Sequence, residues 1–288
     1  MSETRPVGVV GAGTMGAGVA QCLAAAGHRV IVVDPVRKAL VDGLSRLRDG
    51  LRLATLLRRL PATPPDDVLA RVRWTEEITD LADARFVIEC GPERLALKDK
   101  LFGELDVICP ADAVLASCTS AVPIERLAVN TRRPDRVLGT HFMNPVPLKD
   151  SVEVIRAAVT SDDTVDRALA LLASMGKQGI VVRDAPGFVS NRVLMLTVNE
   201  ASIVVQENTA DPSTVDKIFQ DCFGHAMGPL ATADLIGLDT VLDSLVVLQE
   251  CTNDSRFAPS RLLADLVCAG DLGRKTGKGF HTYHNPPT

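Results

Sequence analysis

The 288 residues contain no Cys-x-x-Cys pair, no fixed-period repeat and no low-complexity tract. Those absences set aside zinc-ribbon and sequence-adjacent dithiol motifs, solenoids and flexible linkers. Basic residues are in the minority: 31 Lys plus Arg against 36 Asp plus Glu leave a net charge of -5. That is the wrong sign for a general nucleic-acid or anionic-membrane binder, so neither partner is expected and any positive charge acts locally. The seven cysteines are widely spaced and odd in number, the pattern of reduced thiols in a cytoplasmic chain, and no metal-ligand cluster is expected. Residues 6–28 carry no formal charge, and Ala24-Ala25-Ala26 imitates a cleavage site. Six glycines, a Gln and a Thr nevertheless leave that segment short of large apolar residues, and Met1-Ser2-Glu3-Thr4-Arg5 is not a basic leader. Export and membrane insertion are therefore not expected.

What is present is an ordinary globular composition, 46% apolar and 23% charged, in a chain long enough for two domains. Val7 to Val10 is a short apolar run stopped by glycine, Met15 to Ala26 reads as a helix and Arg29 to Val33 as a second strand, which together make a β-α-β unit. An amphipathic helix is expected from Val36 to Leu60, ending at the proline-rich break Pro61 to Pro65. Apolar runs at 86–88, 114–116, 137–138, 152–155 and 180–182 then alternate with helical segments, of which Arg94 to Ile108 is the clearest. After Asp184-Ala185-Pro186-Gly187 the pattern turns helical, with helices expected at 188–207, 212–222, 231–249 and 260–269. The expected fold class is α/β: a Rossmann-type dinucleotide-binding domain over residues 1–184, followed by a smaller all-α domain over 185–288.

Gly11-Ala12-Gly13-Thr14-Met15-Gly16 fits the G-x-G-x-x-G fingerprint. Its glycines serve a tight turn, close approach of a pyrophosphate and close packing of helix on strand. The hexapeptide follows a strand, opens a helix and precedes Asp34 at the end of the next strand, where a carboxylate binds the adenosine ribose. The same carboxylate repels a 2′-phosphate, so NAD is the expected cofactor, although Arg37 and Lys38 nearby keep NADP open.

Several further segments occur in order along the chain: Ser117-Cys118-Thr119-Ser120, His141-Phe142-Met143-Asn144-Pro145-Val146-Pro147, Val152-Glu153-Val154-Ile155, Pro186-Gly187-Phe188-Val189-Ser190-Asn191-Arg192, Ala233-Asp234-Leu235-Ile236-Gly237-Leu238-Asp239-Thr240 and Gly273-Arg274-Lys275-Thr276-Gly277-Lys278-Gly279-Phe280. Together they resemble the 3-hydroxyacyl-CoA and 3-hydroxybutyryl-CoA dehydrogenase family almost end to end. The resemblance implies that His141 is the catalytic base, a residue type that titrates near neutrality, and that Glu153 is its partner carboxylate. It implies that Ser120 and Asn191 hydrogen-bond the reacting oxygen, in a cleft between the domains, and that Glu93, Lys98, Asn144 and Lys275 line the cofactor. It also implies a homodimer formed through the helical domain. Each residue has a plainer reading. His141 and Glu153 could be a structural histidine and a surface charge, and Ser120 the cap of a helix starting near Ile124. Asn191 could be a first-turn polar residue, Glu93 and Lys98 part of a solvated helix face, and Lys275 a loop charge.

The chain departs from the family where Ser117-Cys118-Thr119-Ser120-Ala121 stands in place of the usual Ser-Asn-Thr-Ser-Ser, which unsettles straight-chain acyl selectivity. Cys118 itself reads as packing. Arg46, Arg48, Arg52, Arg58 and Arg59 line the helix that in relatives meets the CoA end of the substrate. They suit either CoA phosphates or an acidic acyl-carrier protein. The Ser-Cys-Thr-Ser-Ala variant is similar to a branch of the family that oxidises a carrier-bound glyceryl thioester to make hydroxymalonyl or methoxymalonyl polyketide extender units. A related phosphogluconate-type group needs a lysine where Gly187 stands, and a crystallin-like structural relative would not need the four polar residues retained here. The expected activity is reversible NAD-linked oxidation of a 3-hydroxyacyl thioester, bound to CoA or to an acyl-carrier protein, as in fatty acid metabolism.

Overall fold

Short valine-rich runs build the sheet, because strands covered by helices on both faces read as near-continuous apolar stretches. The structure is a computed structural model and describes residues 5–56 and 63–283. The chain divides into two compact units, Met1–Ala185 and Pro186–Thr288. In chain order the first holds β1 (Val7–Val10), α1 (Thr14–Ala25), β2 (Val30–Val33), α2 (Arg37–Leu56), α3 (Pro65–Ala70), β3 (Val72–Thr75), β4 (Phe86–Glu89) and α4 (Leu95–Ile108). It continues through β5 (Val114–Ser117), α5 (Ile124–Ala128), β6 (Val137–His141), β7 (Ser151–Arg156), α6 (Asp162–Ser174) and β8 (Gln178–Arg183).

These strands form one eight-stranded sheet in the order β3-β2-β1-β4-β5-β6-β7-β8. Every neighbouring pair is parallel except β6 and β7. The chain winds away from β1 in both directions, so a crevice opens beyond the carboxyl ends of β1 and β4, the place where open α/β sheets take ligands. Val9, Val32, Ile88 and Val114 form the middle of the core with Val19, Leu23, Leu47 and Leu51 from α1 and α2.

Three sequence expectations change. Val72-Arg73-Trp74-Thr75 is an edge strand that its brevity and polar content concealed. The long helix is described from Arg37 to Leu56, and positions 57–60, Arg58 and Arg59 among them, lie outside the described residues. The expected helix over 231–249 is two helices that meet at Gly237, whose φ of 105° does not continue a right-handed helix.

The second unit consists of α7 (Ser190–Gln206), α8 (Pro212–Phe223), α9 (Pro229–Ile236), α10 (Leu238–Thr252) and α11 (Arg261–Cys268). Asp211 and Ser260 cap α8 and α11 by accepting from the Thr214 and Leu263 amides. Met195, Val198, Ala233, Leu245, Phe257 and Leu263 fill the core. Asp234, buried on α9, accepts from the amides of Phe280 and His281 and from the Tyr283 hydroxyl, each at 2.9 Å, and so pins the final described segment to the bundle. Among the described residues no helix is long and apolar enough to cross a membrane.

Candidate active site

The first component is the loop between β1 and α1. Gly11 has a φ of 101°, and a Cβ there would stand 2.8 Å from the Cys90 carbonyl oxygen. A Cβ on Gly16 would stand 1.8 Å from the Gly11 carbonyl oxygen, so only glycine lets α1 sit this close to the loop. Around Gly13 a Cβ would meet nothing within 4 Å, so this glycine faces open space rather than protein. That space suits a pyrophosphate, since α1 begins there without a capping side chain and first-turn amides have no partner inside a helix. Thr14 and Met15 supply the next amides.

Asp34 follows β2. Its Oδ2 accepts from the Ala12 amide and its Oδ1 from the Val36 amide, both at 2.9 Å, which fixes the carboxylate beside the loop. Each oxygen keeps a lone pair for a ribose hydroxyl. The loop and the carboxylate therefore fit NAD. Asp34→Asn is expected to raise the KM for NAD by roughly tenfold, the loss of charge-assisted hydrogen bonds, and to bring NADP into use. Initial rates with both nucleotides would check this, and an unchanged NAD preference would remove Asp34 from cofactor recognition.

The second component is a pair across the antiparallel β6 and β7 strands. His141 and Glu153 are register partners, two residues twelve positions apart in the chain. Nδ1 of His141 lies 3.2 Å from Glu153 Oε2, and Nε2 lies 3.2 Å from Ser120 Oγ. A carboxylate can only accept, so the Glu153 contact places the imidazole proton on Nδ1 and leaves the Nε2 lone pair toward Ser120. Both residues are buried at 7–8% exposure, so the plainer reading of Glu153 as a surface charge does not describe it.

Ser120 sits in a tight turn after β5, held from Glu93. Oε1 of Glu93 accepts from the Ser120 amide at 2.9 Å, the Ala121 amide at 3.2 Å and the Thr119 hydroxyl. Helix α5 begins after Pro123 with no side-chain cap, so Ser120 is not its cap. Lys98 is not on a solvated face either: it is 1% exposed, and its Nζ donates to Glu89 Oε1 and Oε2 at 2.8 and 2.9 Å and lies 3.3 Å from Glu93 Oε2. Burial pushes the Lys98 ammonium down, but Glu89 and Glu93 together outweigh it and hold the group above the ordinary lysine range. Lys98 therefore braces Glu93 from within the protein.

Glu89 was missed by sequence reasoning. It is 1% exposed and joins Lys98, the Gly91 amide at 2.7 Å and the Ser117 hydroxyl at 2.6 Å. Its one signal was a carboxylate ending an otherwise apolar strand.

Asn144 begins the loop after β6, with a cis peptide to Pro145. Lys177 Nζ donates to the carbonyls of Val146 and Lys149 at 2.8 and 2.6 Å and holds that loop against α1. Asn144 and Thr14 line one groove of about 660 Å³, which continues past Gly18, Gln21 and Arg46. In the second unit, Asn191 is buried in the first turn of α7. Lys275 is bound there by both carboxylate oxygens of Asp239 at 2.6 Å, more than a bare loop charge.

Comparison with known proteins gives the family. Residues 6–185 match the 3-hydroxyacyl-CoA dehydrogenase NAD binding domain, and residues 187–283 match the C-terminal domain of the same family. A probable 3-hydroxybutyryl-CoA dehydrogenase of Bacillus subtilis is 43% identical over 281 residues, 98% of either chain. A 3-hydroxybutyryl-CoA dehydrogenase of Bradyrhizobium diazoefficiens is 40% identical, over 97% of this chain and 95% of that one. The crystal structure of (S)-3-hydroxybutyryl-CoA dehydrogenase from Ralstonia eutropha superposes with a TM-score of 0.91 at 40% identity, covering 98% of this chain and 99% of the other. With both of its units matched by one family, the chain belongs to the 3-hydroxyacyl-CoA dehydrogenases.

Proposed function

We propose that the chain interconverts a 3-hydroxyacyl-CoA and its 3-oxoacyl-CoA with NAD. The single observation that carries this reading is the relay Ser120–His141–Glu153, with Nε2 beside a hydroxyl and a carboxylate behind the ring. Bound NAD would supply the hydride acceptor, held by Gly11, Gly13, Gly16 and Asp34. Nε2 of His141 takes the proton of the substrate 3-hydroxyl as the carbon–oxygen double bond forms. Glu153 stabilises the imidazolium that results and keeps the ring in one tautomer. Ser120 hydrogen-bonds the same oxygen, which is polarised without a second proton exchange. In the reverse direction the imidazolium returns the proton to the 3-oxo oxygen.

The groove beside α1 supports a CoA thioester as substrate: it joins Asn144 and Thr14 to the Arg46 guanidinium, a group that pairs with phosphate. The test measures NADH absorbance with 3-hydroxybutyryl-CoA and with the same acyl group on an acyl-carrier protein, side by side. The CoA thioester is expected to turn over. Turnover of the carrier-bound substrate alone would replace CoA as the carrier, and turnover of neither would overturn the activity.

Two features extend the reading. Val189, Val193, Ile218 and Phe223 leave large apolar side chains exposed on the helical unit, which supports a homodimer. A monomeric mass in solution would refute it. The seven cysteines are free thiols, the state that a reducing cytoplasm maintains.

A further inference from the structure

Cys90 and Cys118 directly follow β4 and β5, one residue beyond the register partners Glu89 and Ser117. The backbone ladder runs on through them: the Cys90 amide donates to the Val10 carbonyl and the Cys118 amide to the Glu89 carbonyl, both at 2.7 Å. Neighbouring strands lie roughly 5 Å apart, inside the Cα separation of about 4.4–6.8 Å that a disulfide needs. Side chains alternate along a strand. Glu89 and Ser117 meet Lys98 of α4 on one face, so Cys90 and Cys118 both point to the other, where they pack against the core that contains Val9 and Phe142. There the two thiols are neighbours on adjacent strands.

We propose that Cys90 and Cys118 form a redox-active pair that a peroxide closes to a disulfide, and that closure shuts down the dinucleotide site. Both residues are of intermediate exposure, and hydrogen peroxide is a small oxidant. The neighbouring Cys90 thiol and the Phe142 amide hold the Cys118 thiol below the ordinary cysteine range against burial. Cys118 is therefore the attacking sulfur. Burial pushes the isolated thiols of Cys22 and Cys109 up to about 11, which makes them poor competitors.

In the first step the Cys118 thiolate attacks one oxygen of hydrogen peroxide. The O–O bond breaks, Cys118 becomes a sulfenic acid, and the departing hydroxide collects the proton that Cys118 gave up. The Cys90 sulfur then attacks the Cys118 sulfur. The S–O bond breaks, its oxygen leaves as water with the Cys90 proton, and the S–S bond forms. Two electrons pass from the sulfur pair to the peroxide, and one peroxide becomes two waters.

The pair is placed to be felt. The Cys90 carbonyl lies against Gly11, where a Cβ would be 2.8 Å away, so the phosphate loop rests on this backbone. Cys118 precedes the Thr119–Ser120 turn that Glu93 holds. A covalent bond between the two strand ends turns both side chains out of their thiol positions and stiffens the backbone on which the loop and the turn rest.

The test oxidises the full reduced chain with hydrogen peroxide, alkylates remaining thiols, and maps the peptides by mass spectrometry beside the NADH assay and an NADH fluorescence titration. A Cys90–Cys118 disulfide is expected, with NADH affinity or turnover falling by about tenfold and returning with dithiothreitol. Cys90→Ala should keep its basal turnover and lose the dithiothreitol-reversible part of the inactivation. Recovery of both cysteines as alkylated thiols after inactivation would overturn the proposal, as would wild-type reversibility in Cys90→Ala. A mapped disulfide with unchanged binding and turnover would overturn the shutdown. Mapping and the titration use no thioester, so they read the pair independently of the proposed activity.

Discussion

Replacing His141 with glutamine is expected to lower NADH formation by roughly 10²–10⁴-fold while NADH binding stays within about twofold. Glutamine approximates the size of the ring and can still face Ser120 and Glu153, but its amide cannot take a proton at neutral pH. The loss is therefore confined to the step in which Nε2 receives the hydroxyl proton. Asp34 lies at the end of β2, four strands from β6 in the sheet order. A variant that binds NADH normally and is nearly inactive separates the base from the cofactor cradle. Comparable turnover in the variant would take the proton-transfer role away from His141.

The second large effect falls on stability. Lys98→Met leaves the Glu89 carboxylate, 1% exposed, without its cation. Breaking a buried ion pair from one side costs about 3–5 kcal/mol, because the remaining charge stays desolvated and unpaired. For a chain of this size the melting temperature should drop by roughly 10 °C. Removing the charge from both sides, in Lys98→Met with Glu89→Gln, should recover much of the loss, as a neutral amide is far cheaper to bury than a lone carboxylate. The single variant should also lose turnover, since Lys98 braces the Glu93 carboxylate that holds the Ser120 turn. Thermal melts of the three proteins test this. A single variant as stable as the parent would show that the pair contributes nothing, and a double variant no better than the single would place the cost in lost packing.

The parts of the molecule that were legible in the sequence are those whose chemistry is local. The glycine fingerprint and Asp34 lie within one β-α-β unit, where strand, turn and helix succeed one another directly. His141 and Glu153 were paired only through the family resemblance and not from the residues themselves, because their meeting depends on β7 running antiparallel to β6, a reversal that no pattern of apolar residues records. Glu89 stayed hidden, and Lys98 was named only through the family resemblance, for the opposite reason. Each looks like an ordinary charge at the edge of an element, and only the tertiary fold turns both inward. Val72–Thr75 is too short and too polar to announce itself, although it pairs with β2 along its whole length. The break at Gly237 was visible as a glycine, but its positive φ is set by the packing of two helices and not by the residue alone.

The measurement that bears most directly on the proton-transfer account is a crystal structure of the chain with NAD and a 3-oxoacyl-CoA bound together. Nε2 of His141 should lie within about 3 Å of the 3-oxo oxygen, with Glu153 still on Nδ1 and the Ser120 hydroxyl on the same oxygen. A ternary complex in which that oxygen is held by other groups, with the imidazole several ångströms away and facing water, would contradict it.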